Sequence, residues 1–158
     1  MDLGAHPIYL TNRLAGKAVS VSAKLQKTLG LEVEDNAVVL VEYESGVLGT
    51  LETGFLSHSS PFQLELHGTV GTLLIEDSNI RLKSSITDRE GWVTPDELPS
   101  PLPMPMEQWI SAIQNNERNT ITKEDVLNLT LINQAAALSS KEGRAVSVTE
   151  LYGTVHHS

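Results

Sequence analysis

Cysteine is missing from all 158 positions. Its absence excludes disulfides, thiolate metal sites and thiol catalysis, and fits a cytoplasmic location. Aromatic residues are scarce, at 4%. Positive charge is scarce too: 11 basic residues face 20 acidic ones, a formal net charge of −9. An acidic chain repels phosphate backbones and anionic membrane surfaces, and no basic stripe with interleaved aromatics offsets this locally. Nucleic acid is therefore not an expected partner. No run of about 18 apolar residues is present, so no transmembrane helix and no membrane partner is expected. The N-terminus lacks the basic stretch and apolar core of a signal peptide. Internal repeats, low-complexity segments, H-E-x-x-H, G-x-S-x-G, S-x-x-K and the glycine-rich βα fingerprint of nucleotide domains are all lacking.

What is present suits one globular domain with a substantial core: 40% hydrophobic residues and a mean hydropathy of −0.10. Residues 2–15 read as a helix, with Ile8, Leu10 and Leu14 on an apolar side, Asp2 as a possible N-cap, Pro7 tolerable in the first turn and Gly16 as the stop. From 17 to 84 the pattern turns to period two. Val19, Val21 and Ala23 alternate with polar residues. Ala37–Tyr43 reads as a strand buried on most of its length, and the Glu44–Val47 turn leads into 47–55. Phe62–His67 alternates cleanly, Gly68–Gly71 turns into 72–76, and Asp77–Asn79 turns into 80–83. This predicts about six strands dominated by antiparallel pairing.

The stretch 85–105 holds Pro95, Pro99, Pro101, Pro103 and Pro105 without periodicity and reads as a loop. Met106, Trp109, Ile110 and Ile113 then trace a helical stripe. Thr122–Asp125 resembles a capping box opening a second helix. On it Val126, Leu129, Asn133 and Ala136 form one line, and Leu127, Leu131, Gln134 and Leu138 another. Gly143 closes that helix, and Ala145–Val148 is a short last strand. The expected fold is α+β: an open, mostly antiparallel sheet with helices on one face. Its other face needs cover, and self-association is the simplest remedy.

The chemistry-bearing candidates are Asp2 and His6. Four residues apart on one helical turn, a carboxylate can orient an imidazole and favour its charged form. The plainer alternative leaves Asp2 a cap and His6 a first-turn residue. His58 sits in a turn-rich loop and reads as solvated. His67 reads as a surface or interface residue, and His156 and His157 lie at the C-terminus. None of the histidines has metal-ligand spacing, and no metal site is expected. Gly68–Gly71 links two strands and so reads as a hairpin turn, without the helix N-terminus a phosphate loop needs. Gly49 and Gly54 mark a bulge or a close backbone approach.

Four segments in this order resemble the C-terminal domain of the glucose–fructose oxidoreductase / inositol dehydrogenase (Gfo/Idh/MocA) family of NAD(P)-dependent oxidoreductases. They are Asp2-Leu3-Gly4-Ala5-His6-Pro7; Glu34–Leu40 with Ser45–Glu52; His67–Leu73; and Ser140–Val146. The resemblance implies a dihydrodipicolinate-reductase-like α+β domain. It makes residues 1–158 the single C-terminal substrate-binding and oligomerisation domain of a longer enzyme, with the N-terminal Rossmann domain outside this chain. It also implies catalytic roles for His6 and Asp2, NAD or NADP in the parent with none bound to this piece, a sugar, cyclitol or related substrate, and a homo-oligomer through the open sheet face. The alternative is a non-catalytic α+β module that dimerises or binds a ligand.

Overall fold

In the computed structural model, residues 4–86 and 90–152 are described. The element order is α1 (Ala5–Ala15), β1 (Ala18–Gln26), β2 (Asn36–Tyr43), β3 (Leu48–Gly54), β4 (Gln63–His67), β5 (Gly71–Glu76), β6 (Asn79–Ser84), α2 (Pro105–Asn115), α3 (Lys123–Glu142), β7 (Val146–Ser147) and α4 (Val148–Tyr152). This is an α+β chain whose strands pair antiparallel throughout. The strands fall into two sheets, β3-β2-β1-β7 and β4-β5-β6, where a single run was expected. The 55–62 link carries Pro61 and makes no β3–β4 pairing, so the first sheet ends at β3. Two compact units result: residues 1–56 with 108–158, and residues 57–107.

The first unit holds the core. Val21, Val39, Val41, Tyr43 and Leu51 point from one face of its sheet onto Ile8 of α1, Leu131, Ile132, Ala135 and Ala136 of α3, and Leu151 of α4. Along β2 burial alternates strictly, so only every second residue is inside. The expectation of a strand buried on most of its length is corrected accordingly. The apolar run supplies both faces, but helices cover one, leaving Val38 and Leu40 about 40% exposed on the other. On α1 the inward residues are Ile8 and Asn12. Leu14, read as part of the apolar side, is 49% exposed.

The capping box of α3 is present as read. The Asp125 amide donates to the Thr122 hydroxyl at 3.2 Å, and the Thr122 amide donates to the Asp125 carboxylate at 2.7 Å. Its inward face takes Ala136 from one predicted line and Leu131 from the other and adds Ile132, Ala135 and Ser139, while Val126 and Leu127 at the start of the two lines are exposed. Small side chains at 135, 136 and 139 let the helix approach β1 closely, and of these only Ala136 stood in a predicted line. No residue of α2 is buried, so its expected apolar stripe stays uncovered among the described residues.

The second unit is the β4-β5-β6 sheet with its proline-rich excursion. Leu66, Leu73 and Leu82 form one row of its apolar face, and Leu64, Ile75 and Ile80 the next. Val93 bridges to Leu82, and the Arg81 guanidinium lies 5.8 Å from the centre of the Trp92 ring.

Candidate functional site

His6 stands in the first turn of α1 and is exposed. The helix begins at Ala5, with Gly4 as an N-cap that no side chain supports. Gly4, not Asp2, therefore occupies the cap position, because the turn closes through the Ile8 amide donating to the Gly4 carbonyl at 3.3 Å. Asp2 itself lies outside the described residues, and so do His156 and His157. Pro7 falls in the first turn, where its missing N–H costs nothing. Thr11 donates to the Pro7 and Ile8 carbonyls at 2.9 and 3.1 Å, tightening the turn that carries the imidazole.

The far end of α1 is tied to the sheet and to α3. Ser45, in the β2–β3 turn, donates to the Ala15 carbonyl at 2.8 Å, and the Glu44 amide donates to the Lys17 carbonyl. Gly16 adopts φ 95° and donates to the Asn12 carbonyl. Lys17 pairs with Glu124 of α3 at 3.1 Å, which with Glu44 raises the lysine's pKa. Below the helix, burial pushes the Tyr43 phenol above its usual pKa, and the nearby Thr11 hydroxyl acts in the opposite direction. The ring of Tyr43 packs on Gly49, where an added Cβ would come 3.0 Å from it. Gly49 is thus a close approach. The Asn12 amide is buried with neither end bonded to protein.

Elsewhere the motifs prove to be structural. Asp35 is 1% exposed and accepts the Leu29 amide at 2.6 Å. That bond holds its pKa below the ordinary carboxylate value against the opposing effect of burial. Its own amide and carbonyl bond Gln26 and Phe55, closing the β1–β2 connection. Gly68 donates to Gly71 at 2.8 Å between the antiparallel β4 and β5, a tight turn as read. Gly71 is required there, since a Cβ would sit 2.8 Å from the Lys83 carbonyl. His67 is exposed beside Glu65 at 3.2 Å, and His58 is exposed. Among the described residues no group of acidic and histidine side chains could hold a metal.

Sequence reasoning missed the role of the serines in the Ser-Lys-Glu-Gly-Arg segment. β7 pairs with β1 only at Ser20 and Val21. Beyond it the free edge of β1 is closed by α3: the Ala23 amide donates to Ser139 Oγ and the Leu25 amide to Ser140 Oγ, both at 2.9 Å. The Ser139 hydroxyl itself donates to the Arg144 carbonyl at 2.6 Å. Arg144 is fixed by Glu142 and Glu150, at 2.6 and 2.9 Å. Unpaired strand groups beside a helix of small residues were the only available signal.

The uncovered face of the same sheet is a three-by-three array set by register. Its rows are Ser20, Glu42, Leu48; then Ser22, Leu40, Thr50; then Lys24, Val38, Glu52. A concavity of about 300 Å³ opens at its β1 side, lined by Ser22, Lys24, Val38, Leu40, Ser139 and Arg144 among others.

The first 74 residues match the family model described as GFO/IDH/MocA C-terminal domain. A D-apiose dehydrogenase of Paraburkholderia graminis is 29% identical over 171 aligned positions, covering 95% of this chain and 44% of the relative. Two solved structures share the fold. One is levoglucosan dehydrogenase in complex with NADH and L-sorbose, with TM-score 0.80, 19% identity, and coverage of 93% of this chain and 50% of that one. The other is an oxidoreductase from Agrobacterium radiobacter in complex with NAD+, L-tartaric acid and magnesium, with TM-score 0.78, 18% identity, and coverage of 95% and 49%. The chain thus spans about half the length of the relatives it matches.

Proposed function

We propose that this chain, which carries the GFO/IDH/MocA C-terminal domain over residues 1–74, is the substrate-side and oligomer-forming part of an NAD(P)-dependent oxidoreductase acting on the CH–OH group of a sugar, cyclitol or related compound. The single domain spans residues 1–158 in this reading, and the nucleotide domain belongs to a longer parent. The enzyme works in the cytoplasm. The observation that carries the reading is the exposed His6 on a helix whose outward side also presents Leu14. An imidazole and, about two turns further along the same helix, an exposed leucine suit a surface that a second domain covers to close a cleft.

The described residues do not suit a dinucleotide. Its diphosphate wants a glycine turn between a strand and a helix N-terminus, whereas Gly68–Gly71 joins two antiparallel strands. In the parent, the nicotinamide would supply hydride transfer from elsewhere in the protein. This chain's share is proton handling. His6 takes the hydroxyl proton as the carbon is oxidised and returns it in the reverse direction. Imidazole is the side chain best suited to both accepting and returning a proton near neutrality. Asp2, four residues earlier in the sequence, orients the ring and offsets the positive charge of the imidazolium in this reading. The isolated chain neither binds NAD(P) nor turns over.

The likeness to a D-apiose dehydrogenase, and to a levoglucosan dehydrogenase that holds L-sorbose, supports a polyol or sugar class. The decisive experiment is His6→Ala in the full-length parent, assayed with a panel of sugars and cyclitols. A fall in kcat of roughly 10²–10⁴ is expected from loss of general acid–base help. Undiminished dehydrogenase activity would remove His6 from the mechanism, and calorimetric binding of NAD(P)H to the isolated chain would overturn the division of labour.

A further inference from the structure

We propose that the polar face of the β4-β5-β6 sheet carries a further ligand site, in which the Trp92 ring stacks on a sugar while Arg81 and Lys83 hold that sugar's anionic group. The leucine and isoleucine rows occupy the opposite face of this sheet. The polar face carries Glu65 and His67 of β4 and Arg81 and Lys83 of β6, with Leu74 between Glu65 and Arg81 and Thr72 between His67 and Lys83. Val93 lies directly opposite Leu82, and their amides donate to each other's carbonyls, both at 2.8 Å. That register sets Trp92 opposite Lys83, on the face that holds both cations.

The chain is short of positive charge, with 11 basic residues against 20 acidic ones. Even so, among the described residues neither Arg81 nor Lys83 forms an ion pair. The acidic side chains of this face are engaged elsewhere: Glu65 with His67 at 3.2 Å, and Glu76 with the Gln63 amide at 3.0 Å. Arg81 instead lies over the Trp92 ring, 5.8 Å from its centre. Stacking uses the flat side of the guanidinium. Its N–H groups lie in the plane and remain able to fork onto a carboxylate or phosphate. The ring also holds the guanidinium in place before a ligand arrives, so less side-chain freedom is lost on binding.

Lys83 stands two residues along the strand from Arg81, about 7 Å between Cα atoms, and its flexible stem reaches the same anion. Trp92 is 48% exposed with the guanidinium over it, so much of the indole surface stays open. A flat aromatic surface of this kind takes the C–H side of a pyranose ring, whose hydroxyls then point to water. The ligand class is therefore a cyclic sugar bearing one carboxylate or one phosphate.

Titration of the isotope-labelled 158-residue chain, followed by two-dimensional NMR, tests the site, with the dispersion of the spectrum as the folding control. D-glucuronate and glucose monophosphate are the anionic sugars, and D-glucose and acetate supply the ring and the anion separately. Saturable shifts of the Trp92 indole and of the β6 amides are expected with at least one anionic sugar. The tighter of the two identifies the group that is held. Its affinity is expected to exceed those of D-glucose and acetate by about tenfold or more, since each of these lacks one of the two contacts. All three substitutions are at exposed positions. Arg81→Gln is expected to weaken the anionic sugar about tenfold, the loss of a hydrogen bond to a charged group, and Lys83→Gln to weaken it as well. Trp92→Leu should remove its advantage over acetate and also assigns the indole signal. The proposal is overturned if no probe saturates, if D-glucose or acetate binds as tightly as the anionic sugars, or if Arg81→Gln leaves the affinity unchanged. None of these results bears on His6, so the oxidoreductase reading stands or falls separately.

Discussion

Ser139 carries more structure than its size suggests. One hydroxyl, 2% exposed, accepts the Ala23 amide and donates to the Arg144 carbonyl, joining β1, α3 and the approach to β7. Ser139→Ala leaves the Ala23 amide and the Arg144 carbonyl, each in a part-buried bond, without this partner at once. Each orphaned group costs about 1–3 kcal/mol, so chemical denaturation should show a loss of at least ~2 kcal/mol. Ser139→Thr keeps the hydroxyl and should retain part of the stability. This role could not be read from the residue string, because a serine's partner is chosen by tertiary approach 116 residues away. Gly49 and Gly71 were more legible. A glycine inside or bordering a strand announces a close neighbour, although it does not say that the neighbour is the Tyr43 ring or the Lys83 carbonyl. His6 was legible as chemistry. Asp2, outside the described residues, was legible only as a spacing of four from it.

Among the elements, α3 divides most clearly into what local rules decide and what packing decides. Its start follows from Thr122 and Asp125, and its end from Gly143 in the left-handed conformation at φ 70°. Both signals are local, and both were visible. Its inward face was not, because alanines and a serine do the packing while Val126 and Leu127 face out. Thr122→Ala removes the hydroxyl that accepts the Asp125 amide, and loss of such a cap costs about 0.5–2 kcal/mol. A lower thermal midpoint with unchanged near-UV ellipticity is expected, since the core contacts of α3 lie two turns or more beyond the cap. For β2 the same lesson holds in reverse. A continuous valine–leucine run names a strand but not how many of its faces are covered.

At the scale of the whole molecule, an excess of nine negative charges sits beside carboxylates that the fold uses as acceptors. Asp35 is lowered chiefly by the Leu29 amide, Asp125 by the Thr122 amide and hydroxyl, and Glu150 by Arg144 and the Ser147 amide. A carboxylate whose folded pKa is depressed contributes stability above its unfolded pKa and loses it as pH falls through the folded one. Stability should therefore be level near neutrality and decline below about pH 5. Urea midpoints measured at descending pH check this. A midpoint that rises on acidification would mean that relief of net negative charge outweighs these three acceptors. The fold class was legible at this scale because the helix–strands–helices order is written in the change of period. The division into two sheets was not, since register alone decides which strand is an edge.

The pairing of β1 with residues near the other end of the chain also has a consequence for biosynthesis. Translation delivers the strand long before the serines and valine that seal its border. Until then its amides and the valines beside it remain open to any other nascent polypeptide. A ribosome-bound intermediate stalled before residue 139 should thus engage chaperones that the finished chain no longer needs.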